Sequence, residues 1–138
     1  GLILSQYLFK REIARARAAF TCGSILKQPI RKFFEIPALG TLLVCEPCRG
    51  LSDYGFVDGD NCIFTTPEQI KGVDDFLRLS KDKAAKMAMK GQNHVLTLHS
   101  LQARASQLNQ VVDAHLKGTF AGARWVQGKF VLSRFNEK

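Results

Sequence analysis

The chain has no apolar run near the ~20 residues a helix needs to cross a bilayer, so its hydrophobic residues, 46% of the total, are those of a folded core. It is also poor in cysteine. The four are Cys22, Cys45, Cys48 and Cys62, and Cys45-Glu-Pro-Cys48 has the spacing of half a zinc knuckle. A structural zinc site takes a second such pair, and the sequence has none. Free thiols in a reducing compartment, the cytoplasm, are therefore expected, with Cys22 and Cys45 buried near strand ends. Acidic residues are the third shortage: 12 against 20 Lys and Arg, a net charge of +8. Such an excess suits a polyanionic partner, whether a nucleotide, a nucleic acid or an acidic membrane face. The cations are spread along the chain instead of massed in a tail, and aromatics are not interleaved with them as in single-strand binders. Nucleic acid is therefore not the expected partner, while peripheral contact with a membrane surface is left open. At 138 residues the chain fits one domain. Its first residues read as a helix, not a secretory leader, and the expectation is a fragment whose N-terminal part is absent.

Helical spacing covers residues 2–17, with Leu4, Tyr7, Leu8, Ala14 and Ala18 on one face and Lys10, Arg11, Arg15 and Arg17 around the other. The apolar run Ala18–Cys22, closed by Gly23-Ser24, reads as a buried strand and a turn. A helix over Pro29–Leu39, capped by Gly40, leads to a second buried strand over Thr41–Cys45, of the kind a sheet covers on both faces. Glu46–Asn61 is a long loop. Its Asp58-Gly-Asp-Asn61 cluster is a turn signal, since it lacks the full ligand series of a calcium loop. Cys62–Thr65 is a third strand. Thr65 or Thr66 caps a helix from Pro67 in which Ile70, Val73, Phe76 and Leu77 recur at helical spacing.

A further helix over Asp82–Lys90 is bounded by Gly91, and the longest runs from Asn93 to Lys117, where Gly118 ends it. Leu98, Leu101, Ala105, Leu108, Val112 and His115 form a narrow seam expected to pack on the sheet. His94 and His99, five apart, are expected to point in different directions, as surface or packing residues and not a metal pair. Thr119–Lys138 reads as a hairpin or a docking tail. The element order is that of an α/β fold, a Rossmann-like parallel sheet flanked by helices. The domain is assigned to residues 1–117, with 118–138 an unassigned C-terminal tail.

In such sheets ligands sit beyond the carboxyl ends of the strands. Those ends lead into Gly23–Lys27 and Glu46–Gly55, on either side of the Pro29–Leu39 helix. Pro29 suits a first helical position. The amides near Ile30 and the positive partial charge of a helix start make a seat for phosphate, and Arg31 and Lys32 add full charges there. Glu35, a turn later, can accept hydrogen bonds from sugar hydroxyls or pair with Arg31. Gly23, Ser24, Lys27, Arg49 and Gly50 complete the set of candidate binding residues. Together they describe a nucleotide-sugar site.

The stretch Phe33-Phe-Glu-Ile-Pro-Ala-Leu-Gly-Thr-Leu-Leu43 resembles the donor-site segment of GT-B glycosyltransferases, the group 1 family and its CgeB-like spore-maturation branch. Gly50–Phe64, Pro67–Ile70 and Gly91–His99 with Arg104 keep the family order, so the resemblance spans roughly residues 3–112. It implies the donor-binding C-terminal lobe of a two-lobed enzyme, with Glu35 on the ribose and Pro29 to Arg31 around the diphosphate. Arg31 and Lys32 would stabilise the leaving group's charge. No metal is implied, and no cofactor besides the nucleotide-diphosphate-sugar substrate. The acceptor lobe is expected to lie outside this sequence. Lys27 stands where the family has an acid, eight residues before Glu35, which separates this chain from the paired-glutamate pattern. A basic α/β nucleic-acid module and a non-catalytic relative serving as a scaffold are the alternatives.

Overall fold

The structure, a computed structural model, describes residues 2–135. Gly1 and the last part of the tail, 136–138, lie outside the described residues. The chain is α/β, as the element order requires: helix α1 (Leu2–Arg15), strand β1 (Ala18–Thr21), helix α2 (Lys32–Ala38), strand β2 (Leu42–Cys45) and strand β3 (Ile63–Phe64). A single 3-10 turn, Pro67–Gln69, then leads into α3 (Ile70–Leu79), α4 (Lys81–Leu98), α5 (Leu101–Leu116), β4 (Phe120–Val126) and β5 (Lys129–Arg134). The first three strands form a parallel sheet with β2 in the middle, Ala18 opposite Leu42 and Val44 opposite Ile63. This is the Rossmann-like sheet flanked by helices that the sequence predicts. The last two strands form a separate antiparallel hairpin, one of the two readings of residues 119–138.

Period-2 alternation along β2 explains how both faces are covered. Leu43 and Cys45 join Phe33, Ile36, Leu51, Phe56, Cys62 and Val95 in one cluster. Leu42 meets Ala84, Met87 and Ala88 in another. Burying each large side chain of these clusters contributes about 1.5–3 kcal/mol. Gly40 ends α2 as expected. At φ +81° its N–H donates to the Pro37 carbonyl at 2.9 Å, while Thr41 N–H reaches the Ile36 carbonyl at 3.4 Å, the Schellman pattern that turns the chain into β2. The Thr41 hydroxyl, fully buried, donates to the Ile13 carbonyl at 2.6 Å and pins α1 to the start of the same strand.

Several sequence expectations need correction. α1 packs through Ile13 and turns Leu4 and Tyr7 outward, each 63% exposed. Cys22 lies past the end of β1 and is exposed; it is Cys45 and Cys62 that are buried. Gly91 does not end a helix. It lies inside α4 at a crossing where a Cβ would stand 2.7 Å from the Asn61 carbonyl oxygen, so glycine is required there for backbone approach. The break comes instead at His99-Ser100. Ser100 is extended and its Oγ accepts from the Ala103 N–H at 3.2 Å, an N-cap that starts a new helix. The seam on α5 consequently does not reach the sheet: Leu101 is 85% and Leu108 62% exposed, and the helix rests against α4 and the hairpin. No helix among the described residues is long and apolar enough to cross a membrane.

Candidate functional site

The loop after β1, the start of α2 and the loop after β2 meet at the carboxyl edge of the sheet. Two hydrogen bonds close the first loop on itself: Lys27 N–H to Ser24 O, 3.2 Å, and Gln28 N–H to Gly23 O, 3.1 Å. A Cβ on Gly23 would meet Cys48 Cβ at 3.0 Å, so this residue lets the two loops touch. Arg49 N–H donates to Lys27 O at 3.1 Å and Lys27 Nζ lies 3.4 Å from Glu46 Oε2. Gly50, at φ +82°, turns the second loop back. Backbone bonds thus link Ser24, Lys27 and Arg49 across the two loops, and the first loop runs on into the α2 start.

The helix start differs from expectation. α2 begins at Lys32, with Arg31 at the N-cap position in helical conformation, so Pro29 and Ile30 precede the helix instead of opening it. Phe33 N–H turns back to Ile30 O and the Phe34 and Glu35 N–H groups to Arg31 O, at 3.0–3.1 Å. Arg31 Nε lies 3.0 Å from Glu35 Oε1, the i,i+4 pair that the sequence leaves open as an alternative; Arg31 is 75% exposed and Glu35 23%. Lys32 Nζ sits 5.5 Å from the centre of the Phe9 ring on α1. Two of the loop residues are also strained. Ser24 (φ 59°) and Lys27 (φ 49°) hold left-handed conformations without being glycine, which costs about 1–2 kcal/mol each and is a recurrent property of ligand-binding turns.

A second cluster lies just behind this edge, and sequence reasoning missed it. His94 and His99 do not diverge: each places Nε2 2.9 Å from the same carbonyl, that of Tyr54, with the rings 5.2 Å apart. They converge because the helix stops at His99, whose backbone (φ −124°, ψ 6°) leaves the helical path. A carbonyl only accepts and a guanidinium only donates, so His99 carries its proton on Nε2 and receives Arg104 Nη2–H on Nδ1 at 3.0 Å. The ring must be neutral to do this. Burial, with the charges of Arg104 and His94, lowers its pKa to about 4, against an opposing pull from the Tyr54 carbonyl. Phe34, Tyr54, Phe56 and Trp125 surround it, with Phe34 at 5.0 Å and Trp125 at 4.7 Å. The available signal was Ser100: read as an N-cap, it splits the long helix and frees His99 to turn inward.

The Asp58–Asn61 turn is an Asp-x-Asp triplet followed by Asn, and its side chains are engaged internally. Asp58 Oδ1 accepts Phe64 N–H at 2.7 Å, Asp60 pairs with Lys90, and Asn61 Oδ1 accepts Val57 N–H at 2.8 Å. Among the described residues no group of three or more His, Cys, Asp or Glu side chains is placed to hold a metal. The Cys62 thiol is pushed far up by its hydrogen bond with Cys45 and by burial, and burial raises Cys48 too, so both are poor nucleophiles. Cavities of 220–600 Å³ occur along α3, α4 and the hairpin turn, the largest lined by His94, Leu98, Gln127 and Lys129.

A family model described as glycosyl transferase-like matches residues 4–110, more than half of the chain. The chain therefore belongs to that glycosyl transferase-like family, which supports sugar transfer as the general activity. The match takes in every element from α1 through most of α5 and ends before the hairpin. No curated protein and no solved structure matches the chain.

Proposed function

We propose that this member of the glycosyl transferase-like family binds a nucleotide-diphosphate sugar at the carboxyl edge of its parallel sheet. In this reading it serves as the donor-binding lobe of a GT-B enzyme of the CgeB-like branch. The observation that carries the reading is that the two loops at that edge are joined through Lys27 and Arg49, with Arg31, Lys32 and Glu35 at the start of the helix that follows the first of them, all within the residues the family match covers. Strain at Ser24 and Lys27 is in keeping with it.

The roles follow from charge and geometry. The ion pair with Arg31 takes Oε1 of Glu35 and orients the carboxylate, and Oε2 is left for the ribose hydroxyls. The diphosphate lies toward Pro29, Ile30 and the Gly23–Lys27 turn, with Arg49 and Gly50 on its far side. When the bond from the anomeric carbon to the phosphate oxygen breaks, negative charge grows on that oxygen. The proposed role of Arg31 and Lys32 is to meet that charge, and losing one preoriented donor of this kind typically costs about 2.7–4 kcal/mol in the transition state. Lys27, paired with Glu46, stands where the resemblance puts the family's first acid. That is the specific ground for the second reading, a relative that binds the donor without transferring it.

The test is a thermal melt of the chain with UDP, GDP and their sugars, repeated in Glu35→Ala. The expected result is a rise in Tm with at least one nucleoside diphosphate, lost in the variant. Absence of any shift, or a shift undiminished by Glu35→Ala, overturns the assignment.

A further inference from the structure

The β4–β5 hairpin lies beyond the residues shared with the family, yet it is joined to the sheet-edge loop by backbone and by stacking. Gly128 N–H donates to Asp53 O at 2.8 Å. At this junction the chains approach too closely for side chains: a Cβ on Gly55 would stand 2.7 Å from Gly128 Cα and 2.5 Å from His94 Cε1. Trp125 covers His99 at 4.7 Å and Tyr54 at 5.6 Å. Arg104 lies over Trp125 at 4.5 Å and Tyr54 at 5.6 Å while bonding His99.

Tyr54 then reaches the sheet edge by two routes. Its N–H donates to Gly50 O at 3.3 Å, next to Arg49, which is itself bonded to Lys27. Its ring meets Phe34 edge-on at 5.7 Å, and Phe34 precedes Glu35 on α2. A two-stranded hairpin is marginal in water unless it packs on something, so this hairpin's own order depends on docking against the loop.

We propose that this hairpin is a clamp on the donor site, with Trp125 and Arg104 as positioning residues that fix the Gly50–Gly55 turn and the Phe34–Glu35 segment; the proposal rests on the donor reading above. A ligand that binds only the docked state loses apparent affinity in proportion as docking is lost.

The experiment combines hydrogen exchange over residues 50–56 with UDP and GDP titrations, in the unaltered chain and in Trp125→Ala, Trp125→Phe and Arg104→Lys. Trp125→Ala should speed exchange across 50–56 and weaken the nucleoside diphosphate about tenfold, and Trp125→Phe should restore most of both. Arg104→Lys keeps the charge but loses the planar fork; it should give the same pattern and stands in if Trp125→Ala fails to fold. Exchange unchanged in Trp125→Ala or Arg104→Lys overturns the clamp, as does faster exchange with undiminished affinity. An unaltered chain that binds neither nucleotide defeats the donor reading instead, and the exchange measurement still decides whether the hairpin orders the loop.

Discussion

At the sheet edge Arg31 and Lys27 stand largely in water, 75% and 66% exposed, and each holds one carboxylate at 3.0–3.4 Å. Around Tyr54, Phe34, Phe56, His94, His99 and Trp125 instead close on one another at centroid distances of 4.7–6.3 Å, with Arg104 drawn in among them. The first region keeps its charges available and adds little to stability, because exposed pairs are worth about 0–1 kcal/mol. The second has low charge, tight packing and shared hydrogen bonds, and in the clamp proposal it holds the geometry of its neighbour. Under the proposed donor reading, recognition falls to the first region and rigidity to the second.

The sharpest break in that division comes from Phe56, fully buried between Phe34 and the histidines. Phe56→Ala should cost about 3–5 kcal/mol, read as a lower urea midpoint at unchanged slope. A loss below 1 kcal/mol would remove the cluster's claim to structural weight. Gly55 comes next. At φ +87°, with His94 against it, Gly55→Ala should destabilise by about 2 kcal/mol, measured the same way.

The third effect is a pH dependence. His99 titrates at about 4 in the folded chain, below its ordinary 6.5. Between those values the unfolded chain binds the proton and the folded one does not. Stability therefore falls as pH drops from 6.5 toward 4, and this contribution is constant above 6.5. Urea midpoints across that window should slope downward, and His99→Gln should flatten the slope. The smallest effect belongs to the sheet edge. Arg31→Ala should change unfolding free energy by no more than about 1 kcal/mol while reducing any nucleotide-dependent rise in Tm. A large intrinsic loss there would erase the distinction between the two regions.

The sheet edge was legible because its signals are local: glycine at a turn, adjacent cations, a carboxylate one turn on, and a buried β-branched run to follow. The parallel sheet was legible for the same reason, since Thr41–Cys45 is apolar on both faces. The cluster behind it depends on tertiary convergence. His94 and His99 meet only because Ser100 ends one helix and starts another, and Trp125 reaches them only through a hairpin that no short-range pattern ties to Tyr54. Gly91 misled for a physical reason: a glycine needed for close passage beside Asn61 has the same letter as one that ends a helix. The exposed α5 seam misled as well, because 3–4 spacing specifies an apolar stripe and not what covers it.

Helix α2 has only the seven residues Lys32–Ala38, ended by Gly40. Few peptide dipoles line up behind Arg31, so the pull on an anion at this end comes chiefly from the guanidinium and ammonium groups themselves. Those sit in solvent, where mobile ions screen them over about 8 Å at physiological ionic strength. Any phosphate held here should therefore be released steeply as salt is raised.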